Sequence, residues 1–427
     1  MEVFIGMKVY ADLHIHSKYS GGSSEKMNIP TLVSYALIKG LKLLGTGDCL
    51  NPHWLRELKD DLIHVGGGFY AYRLNPEVLF VVECEVGTVF EFNGKSRRVH
   101  HVILMPSLEV AEQLSDVLSR YGDVESNGRP VFNMHPSELV DLVLGVEESC
   151  FIFPAHIWTP WWSMFGSFSG VDRVEDCYGD RVDKIYAIET GLSSDPEMNW
   201  RVSQLHRFTI LSFSDSHSPY PFRLGREACL FNLDKMEYLE LINAIKSRDP
   251  RRFLMTIEVD PAYGKYHWSG HRNCNVGPLP PEEARKLNYI CPVCGRKLTK
   301  GVEDRVEELA DKPRGFKPEN AIPFIKVLPL QTIIAFSMGI SEDDISKLNS
   351  GKVWSLYANL VSKFGSEFNV LLDAPIDEIA KTSTPLIASY IKNLRYGKYS
   401  IKPGFDGVYG RINMFGSSMD LRDFINR

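Results

Sequence analysis

Short apolar runs recur along the first half of the chain, and amphipathic stretches separate them. Their length and their bulky aliphatic side chains are typical of buried strands. We predict seven such strands, at residues 8–13, 41–46, 78–82, 99–104, 150–153, 184–188 and 208–213. Because strands alternate with helical stretches, we expect parallel pairing, in either an open doubly wound sheet or a barrel.

The first predicted helix lies between the first two of these strands. Asn28 is a candidate N-cap, Pro30 falls in the first turn, and Gly40 follows the last turn. An Asn side chain can accept a hydrogen bond from the free N–H groups of a first turn, and glycine adopts the left-handed conformation that ends many helices. The pattern therefore predicts a short helix between Asn28 and Gly40.

The pattern changes after the last predicted strand, and with 427 residues the chain is too long for one ordinary domain. Glycine, proline and charged residues become frequent over residues 256–313. Helical patterns follow, and the end of the chain, rich in glycine and tyrosine, predicts loops or a hairpin. We expect three domains, over residues 7–235, 256–313 and 315–427.

Composition narrows the function classes only a little. Hydrophobic residues make up 44% of the chain, charged residues 24%, and the formal net charge is -6. The negative net charge argues against a protein with a positive electrostatic potential over its whole surface, but it allows local basic patches that bind nucleic acids. We see no secretory signal, no membrane span and no disulfide framework among the eight cysteines, so we expect a cytoplasmic protein.

Polar residues that can bind metals lie at the ends of the predicted strands. If the strands are parallel, their carboxyl ends meet on one face, and residues distant in sequence converge there. His-x-His and Asp-x-His spacings also point both side chains to the same side of a strand. The candidates are His14, His16, Asp48, Glu85, His100, His156, Asp215 and His217. Glu83 is an alternative to Glu85, and His101 is an alternative to His100.

A mixed set of histidines and carboxylates suits Zn²⁺, Mn²⁺ or Fe²⁺ better than Ca²⁺. Eight candidates exceed what one ion can bind, so we expect two or three ions, with Mg²⁺ or Mn²⁺ as alternatives to catalytic Zn²⁺. Such clusters hydrolyse phosphate esters. We expect the catalytic ions to depend on the spaced pairs, His14 with His16 and Asp215 with His217.

Four segments resemble signatures of the polymerase and histidinol phosphatase (PHP) family: DLHIHSKYS at residues 12–20, CEVGT at 84–88, PAH at 154–156 and SDSH at 214–217. The resemblance implies an α/β fold, a distorted (β/α)7 barrel, with a trinuclear metal centre. The chain departs from the family where Asp48 is followed by Cys49 instead of histidine. One ligand is therefore altered or supplied by another residue, such as His53.

A second metal site is predicted in the middle region. His271 and Cys274 are followed, after sixteen intervening residues, by Cys291-Pro-Val-Cys294-Gly. Paired cysteines at this spacing are typical of a small structural zinc site, and a closed four-ligand site is structural. We prefer His271 as the fourth ligand, with His267 as the alternative.

Basic and aromatic residues are interleaved near the end of the chain. Basic side chains neutralise phosphates, and aromatic faces stack on bases. A solvated basic face with tyrosines covering a small core would have the same composition. The candidate DNA contacts are Lys392, Arg395, Lys398, Lys402, Tyr409 and Arg411.

The order of these regions resembles the archaeal endonuclease Q family, through HRNC and CPVCGRKL around the cysteines, RVEELADKPRGF at residues 305–316 and KPGFDGVYG at 402–410. The resemblance implies DNA repair by cleavage 5′ of deaminated bases (uracil, hypoxanthine, xanthine) and of abasic sites. It implies damaged DNA as the partner, and we consider a replication sliding clamp as a second one. The alternatives are a small-molecule phosphatase of the histidinol phosphatase type and a DNA-binding module with a decayed site, which Cys49 alone supports.

Overall fold

The protein is described here by a computed structural model covering residues 6–341 and 344–414, without the side chain of Ile345. Its strands are β1 (Met7–Asp12), β2 (Leu43–Gly45), β3 (Leu62–Gly66), β4 (Phe69–Tyr72), β5 (Asn75–Phe92), β6 (Lys95–Met105), β7 (Val131–Phe132), β8 (Phe151–Pro154), β9 (Ala187–Glu189), β10 (Thr209–Leu211), β11 (Ala228–Leu233), β12 (Phe253–Glu258), β13 (Ser269–His271), β14 (Val276–Leu279), β15 (Phe324–Lys326), β16 (Ser400–Lys402) and β17 (Arg411–Asn413). All seven predicted strands are confirmed, since each overlaps one of these.

The α-helices are α1 (Ile29–Lys39), α2 (Pro52–Asp61), α3 (Leu108–Leu118), α4 (Pro136–Val146), α5 (Val174–Tyr178), α6 (Pro196–Trp200), α7 (Tyr238–Ser247), α8 (Pro281–Lys286), α9 (Val302–Leu309), α10 (Leu330–Ser337), α11 (Ile345–Leu348), α12 (Gly351–Phe364), α13 (Glu367–Leu372), α14 (Ile376–Thr382) and α15 (Pro385–Arg395). Asn28 caps α1 by accepting from the Thr31 N–H, and Gly40 ends it at φ 97°, so the predicted helix ends are confirmed. Within the described ranges, none of these helices combines the length and the apolar character that a membrane crossing requires.

Eleven strands form one mixed sheet in the order β15-β12-β11-β1-β2-β5-β4-β3, with β6 and β7 also paired to β5, and β8 paired to β6. The β1, β2 and β5 strands are parallel, as expected. The expected parallel pairing is wrong for β6, which is antiparallel to both β5 and β8. The reason is a tight turn at Asn93 and Gly94, whose φ values of 51° and 68° suit a two-residue hairpin.

Alternate residues of these strands form a separate buried apolar cluster. It includes Val9 and Ala11 of β1, Phe151 and Phe153 of β8, and Leu211 of β10. The parallel pair β9–β10 therefore packs against the same interior as the large sheet, although no strand pairing joins them. The closed seven-stranded barrel itself stays a prediction.

The sheet continues beyond the expected end of the first domain at residue 235. The β12 strand pairs antiparallel with β11, and β15 pairs parallel with β12. One sheet thus contains strands from the sequence ranges of all three predicted domains. The division into domains stays a prediction. The described part of the last range is mainly helical, as expected, and ends in the β16–β17 hairpin.

One buried ion pair joins the first region to the helical region. The Lys39 ammonium at the end of α1 is only 1% exposed and lies 2.8 Å from Glu367 Oε1 at the start of α13. It also donates to the Pro221 carbonyl at 2.7 Å. Glu367 accepts further hydrogen bonds from the Leu330 N–H and the Tyr357 hydroxyl. Burial lowers the pKa of Lys39, although Glu367 opposes the shift.

Candidate metal centre

Two buried histidines beyond the end of β1 begin the site. His14 and His16 are separated by one residue, so both rings reach the same side of the chain. His14 Nδ1 lies 2.9 Å from Glu189, and His16 Nδ1 lies 3.0 Å from Asp48. Because a carboxylate only accepts, each ring donates through Nδ1, which leaves Nε2 as its candidate ligand atom. His14 Nε2 has no hydrogen-bond partner among the described atoms.

The first group suited to a metal consists of His14, His16, Glu85 and Asp215, whose ligand atoms all lie within 4.8 Å of one another. His16 Nε2 lies 3.0 Å from Asp215 Oδ1 and 3.3 Å from Glu85 Oε2. His14 Nε2 lies 3.8 Å from each of these oxygens. Two imidazoles and two carboxylates thus surround one position.

The second group consists of Glu85, His100 and His156. Glu85 Oε1 lies 2.9 Å from His100 Nδ1 and 3.0 Å from His156 Nε2. The other oxygen of Glu85 faces the first group, so this carboxylate is shared by both. A shared carboxylate between two histidine-rich groups is an arrangement suited to two neighbouring divalent ions.

The electrostatics and donor types fit divalent metals. Burial raises the pKa of Glu85, but His100 and Arg129 outweigh it and hold that pKa well below its usual range. Burial lowers the pKa of His100 to about 4, which keeps its ring neutral and able to bind a metal. Nitrogen and oxygen donors together fit Zn²⁺, Mn²⁺ or Fe²⁺. The unpartnered His14 Nε2 is consistent with a ligand atom.

The positions of the two rival pairs support the preferred residues. His101 faces the core, where Thr88 and the Tyr178 hydroxyl each lie 2.9 Å from its ring nitrogens. Glu83 accepts from the Gly47 N–H and joins neither metal-suited group of the described residues. Glu85 and His100 therefore remain the preferred candidates.

Asp48 and His217 lie beside the two groups without joining them. Both oxygens of Asp48 are engaged: Oδ1 accepts from His16, and Oδ2 accepts from the amide and hydroxyl of Ser17, each at 2.6 Å. The His217 ring packs on His16 at 4.2 Å between centroids, and its Nδ1 donates to the Asp215 carbonyl. Metal binding by Asp48 and His217, and a third ion, stay predictions.

The structure also locates the residues linked to the altered motif. Cys49 is fully buried in the apolar core. His53 is exposed on α2, 6.1 Å from the Tyr19 ring between centroids. Neither belongs to a metal-suited group among the described residues.

Three of the candidate residues have strained backbone conformations. Asp48, His156 and Asp215 have φ values of 45°, 29° and 47°, in the left-handed region that side chains disfavour. Gly191 lets its backbone pass close to His156, since a Cβ at position 191 would lie 2.1 Å from His156 Cβ. Strain of this kind is typical of functional sites, where the surrounding structure holds residues in place.

Two residues of the site were missed by the sequence analysis. Glu189 accepts from both His14 Nδ1 and the His156 N–H. A signal for Glu189 was available in the sequence, because this residue directly follows the predicted strand at residues 184–188. Arg129 donates to Glu85 Oε2 at 2.9 Å. It lies in a loop without a hydrophobic period, so nothing in the pattern marked it.

The predicted zinc residues also come together. His271, Cys274, Cys291 and Cys294 place their ligand atoms within 4.8 Å of one another, around the β13–β14 hairpin. Burial raises the pKa of Cys291, but backbone N–H groups of Cys294 and Val293 outweigh it and lower the pKa to about 6. The thiolate form that binds zinc is thereby favoured. His267 lies outside this group. Occupancy by zinc stays a prediction.

The predicted DNA contacts occupy different environments. Lys392, Lys398 and Arg411 are exposed, whereas Lys402 is half-buried. The Arg395 guanidinium donates to the Val370 and Leu371 carbonyls at the end of α13, which gives it a structural role. Contact with DNA by any of these residues stays a prediction.

A cavity of about 470 Å³ opens beside the metal centre. Tyr409, one of the predicted DNA contacts, lines it, and the Lys265 ammonium lies 4.5 Å from the Tyr409 ring centre. Other lining residues are Asp215, His217, Arg223, Arg226 and Lys265. The cavity is of a size that holds small ligands, and cations and an aromatic ring surround it.

Comparison with known proteins identifies the relatives of this chain. Residues 329–398 match the family described as the MJ0043 C-terminal domain. The protein MJ0043 of Methanocaldococcus jannaschii is 35% identical over 283 residues, which cover 64% of this chain and 32% of that protein. The chain thus spans about a third of the length of that relative.

Two solved structures match over nearly the whole chain. The crystal structure of the lesion-specific endonuclease PfuEndoQ from Pyrococcus furiosus is 34% identical, covers 99% of both chains and has a TM-score of 0.84. Endonuclease Q in complex with a 27-mer duplex, with an abasic lesion at the active site, is 35% identical and has a TM-score of 0.84. That match covers 98% of this chain and 100% of the other. By identity, coverage and fold together, the chain belongs to the endonuclease Q family.

Proposed function

We propose that the protein is a metal-dependent DNA repair endonuclease that hydrolyses the phosphodiester bond on the 5′ side of a damaged nucleotide. This proposal rests on the position of Glu85, whose carboxylate belongs to both groups of metal-suited side chains. The family relationship supports DNA as the substrate, because a relative 35% identical is bound to a duplex with an abasic lesion at its active site.

The proposed lesions are deaminated bases (uracil, hypoxanthine and xanthine) and abasic sites. The cavity beside Asp215 and His217 would accept the extruded nucleotide. Extrusion costs least where a base is mismatched, damaged or missing, which gives selectivity a physical source. We expect cleavage to leave a 3′-hydroxyl and a 5′-phosphate.

The residues of the centre would divide the work. Divalent ions bound by the two groups would activate water and neutralise charge on the phosphate. Glu189 and Asp48 hold the His14 and His16 rings so that each Nε2 faces the centre. Arg129 brings a fixed positive charge next to Glu85, where it can stabilise negative charge on phosphate oxygens. Zn²⁺ is our first choice for the ions, with Mg²⁺ or Mn²⁺ as alternatives.

The other regions would hold the duplex. We assign a structural zinc to His271 and the three clustered cysteines, since a closed four-ligand site leaves no position for a substrate. Lys392, Lys398 and Arg411 are exposed and free to approach phosphates from the C-terminal region. A contact with a replication sliding clamp and a cytoplasmic location stay predictions.

The test is incubation of the purified protein with end-labelled duplexes that contain uracil, hypoxanthine, xanthine, an abasic site or no lesion. We expect a nick directly 5′ of each lesion, lost after chelation and restored by Zn²⁺, Mn²⁺ or Mg²⁺, and weaker at high salt because phosphate contacts release counterions. Equal cutting of the undamaged duplex would rule out repair specificity. Hydrolysis of histidinol phosphate without DNA cleavage would favour the small-molecule phosphatase.

A further inference from the structure

Three aromatic side chains form a patch next to the metal centre, which we call the aromatic patch (Trp161, Phe168 and the half-buried Tyr266). The Trp161 and Phe168 side chains are 43% and 49% exposed. Their rings are stacked at 5.0 Å between centroids and 5° between planes. Tyr266 meets Trp161 edge to face at 5.2 Å. A flat, rigid aromatic surface is therefore presented to solvent.

The loop that carries Trp161 and Phe168 is fixed to the metal centre. The Thr159 hydroxyl lies 3.0 Å from Nδ1 of the candidate ligand His156. The Trp162 ring stacks on His100, the other histidine of that group, at 4.9 Å. The patch is thus held at a set position relative to the candidate metal ligands His100 and His156.

Short contacts within the loop keep it compact. The Phe168 N–H donates to the Pro160 carbonyl at 3.0 Å, and the Trp162 N–H donates to the Ser169 hydroxyl at 2.8 Å. A Cβ at Gly166 would lie 2.5 Å from the Thr159 carbonyl oxygen, so glycine permits this packing. The two exposed rings therefore lose little further freedom when a partner covers them.

Charge and location favour a nucleic acid as that partner. The Arg98 guanidinium lies 5.2 Å from the Trp162 ring centre, and Lys265, next to Tyr266 in sequence, is exposed. Tyr266 also lines the cavity beside Asp215. A flat apolar surface flanked by cations, next to a cavity, suits bases that stack while phosphates meet the cations.

We propose that the aromatic patch stacks on the bases of the duplex next to the lesion and fills the space that the extruded nucleotide leaves. This inference rests on the proposed function, since it requires the substrate to be duplex DNA. Stacking on an aromatic side chain offsets part of the cost of unstacking the damaged nucleotide. The patch acts on double-stranded substrates, because a single strand has no stack to hold open.

The test compares Trp161→Ala, Trp161→Phe and Phe168→Ala with the wild type on three substrates: a uracil-containing duplex, the same uracil strand alone and bis-p-nitrophenyl phosphate. We expect Trp161→Ala and Phe168→Ala to cut the duplex about ten- to a hundredfold more slowly. Cleavage of the single strand and of the small diester should stay within about twofold, and Trp161→Phe should recover most of the duplex activity.

Tyr186→Ala is the matched control. Tyr186 is 39% exposed and aromatic, but it precedes β9, at the end of that strand opposite Glu189. This variant should match the wild type on all three substrates.

Three results would overturn the proposal. If Trp161→Ala cut the duplex normally, the patch would serve another partner, such as a protein. If all three activities fell equally and metal content fell with them, the loop would only support His156. If the wild type hydrolysed the small diester but no lesion-containing duplex, the proposed function would fail and the stacking role with it.

Discussion

Each of the two histidines after β1 can offer only one nitrogen to a metal, because Glu189 and Asp48 occupy the other. A ligand held in this way loses little freedom when a metal binds, and its partners in the outer shell usually contribute ten- to a hundredfold to affinity or activity. Replacement of the ligand itself should cost more than replacement of either partner.

The first prediction follows from that comparison. His16→Ala should lower hydrolysis of a chromogenic phosphodiester by more than about a hundredfold and remove bound metal, since His16 contacts both Glu85 and Asp215. Metal analysis and circular dichroism on the same sample give the two readouts. His53→Ala is the control, because that histidine is exposed and lies outside the metal-suited groups. Near-normal turnover of His16→Ala with full metal content would contradict the assignment.

A second prediction concerns Arg129. Arg129→Ala should lower kcat on DNA by about a hundredfold, because one donor to a developing negative charge is worth that much in a preorganised site. Arg129→Lys should recover part of the loss, since an ammonium keeps the charge without the planar fork. Arg120→Ala, in an exposed position shortly before it in the chain, is the matched control. A change in KM alone would mean that Arg129 only binds the substrate.

Residue types and spacing predicted much of the site, and geometry supplied the rest. His14, His16, Glu85, His100, His156 and Asp215 were predicted from their positions at strand ends, and the structure brings them together. Sequence alone could not decide whether Asp48 binds a metal or orients His16, because the two roles need the same residue at the same place. Arg129 could not be found, since its position depends on how a loop folds over Glu85.

At the level of secondary structure, the strands were predictable, but their directions were predicted only in part: β1, β2 and β5 are parallel as expected, and β6 is antiparallel to its neighbours. Each apolar run marks a strand, but it carries no sign of whether its neighbour is parallel. For β5 and β6, the local signal was the Asn93-Gly94 pair, a strong turn sequence between two apolar runs. The β6 strand begins before its predicted run, at residues 95–98, which are polar and largely exposed. The β5 strand continues past its predicted run over residues 83–92, which are mostly buried but mix polar with apolar residues, so the apolar run ended early.

The third prediction concerns the β13–β14 hairpin and its cysteines. Cys291→Ser should remove one equivalent of zinc and make the region of residues 269–294 sensitive to protease, because metal binding supplies folding energy to small metal modules. Mass spectrometry of the intact protein under native conditions would give the stoichiometry. His267→Ala should keep that zinc, as His267 lies outside the group of four. Full zinc content in Cys291→Ser would disprove the site.

At the scale of the whole molecule, the buried ion pair of Lys39 and Glu367 links the stability of the first region to that of the helical region. Glu367→Gln should lower the free energy of unfolding by about 3–5 kcal/mol, because it leaves a buried ammonium without a counter-charge. The double variant Lys39→Met/Glu367→Gln should recover much of that loss. Chemical denaturation measures both.

The control for this experiment is the exposed pair of Lys381 and Glu378 on α14. Glu378→Gln should change stability little, since solvent screens an exposed pair. If Glu367→Gln behaved like this surface variant, the buried pair would contribute nothing specific to the fold.

The same ion pair limits how the first region can be combined with other sequences. If the chain up to residue 235 were fused to a different C-terminal region, it would carry a buried lysine at position 39 without Glu367, its ion-pair partner among the described residues. Such a chimera starts with a penalty that is a large share of the total stability of about 5–15 kcal/mol typical of a folded protein. Exchange of the helical region by recombination therefore requires a compensating change at position 39, so the two halves are expected to be inherited together.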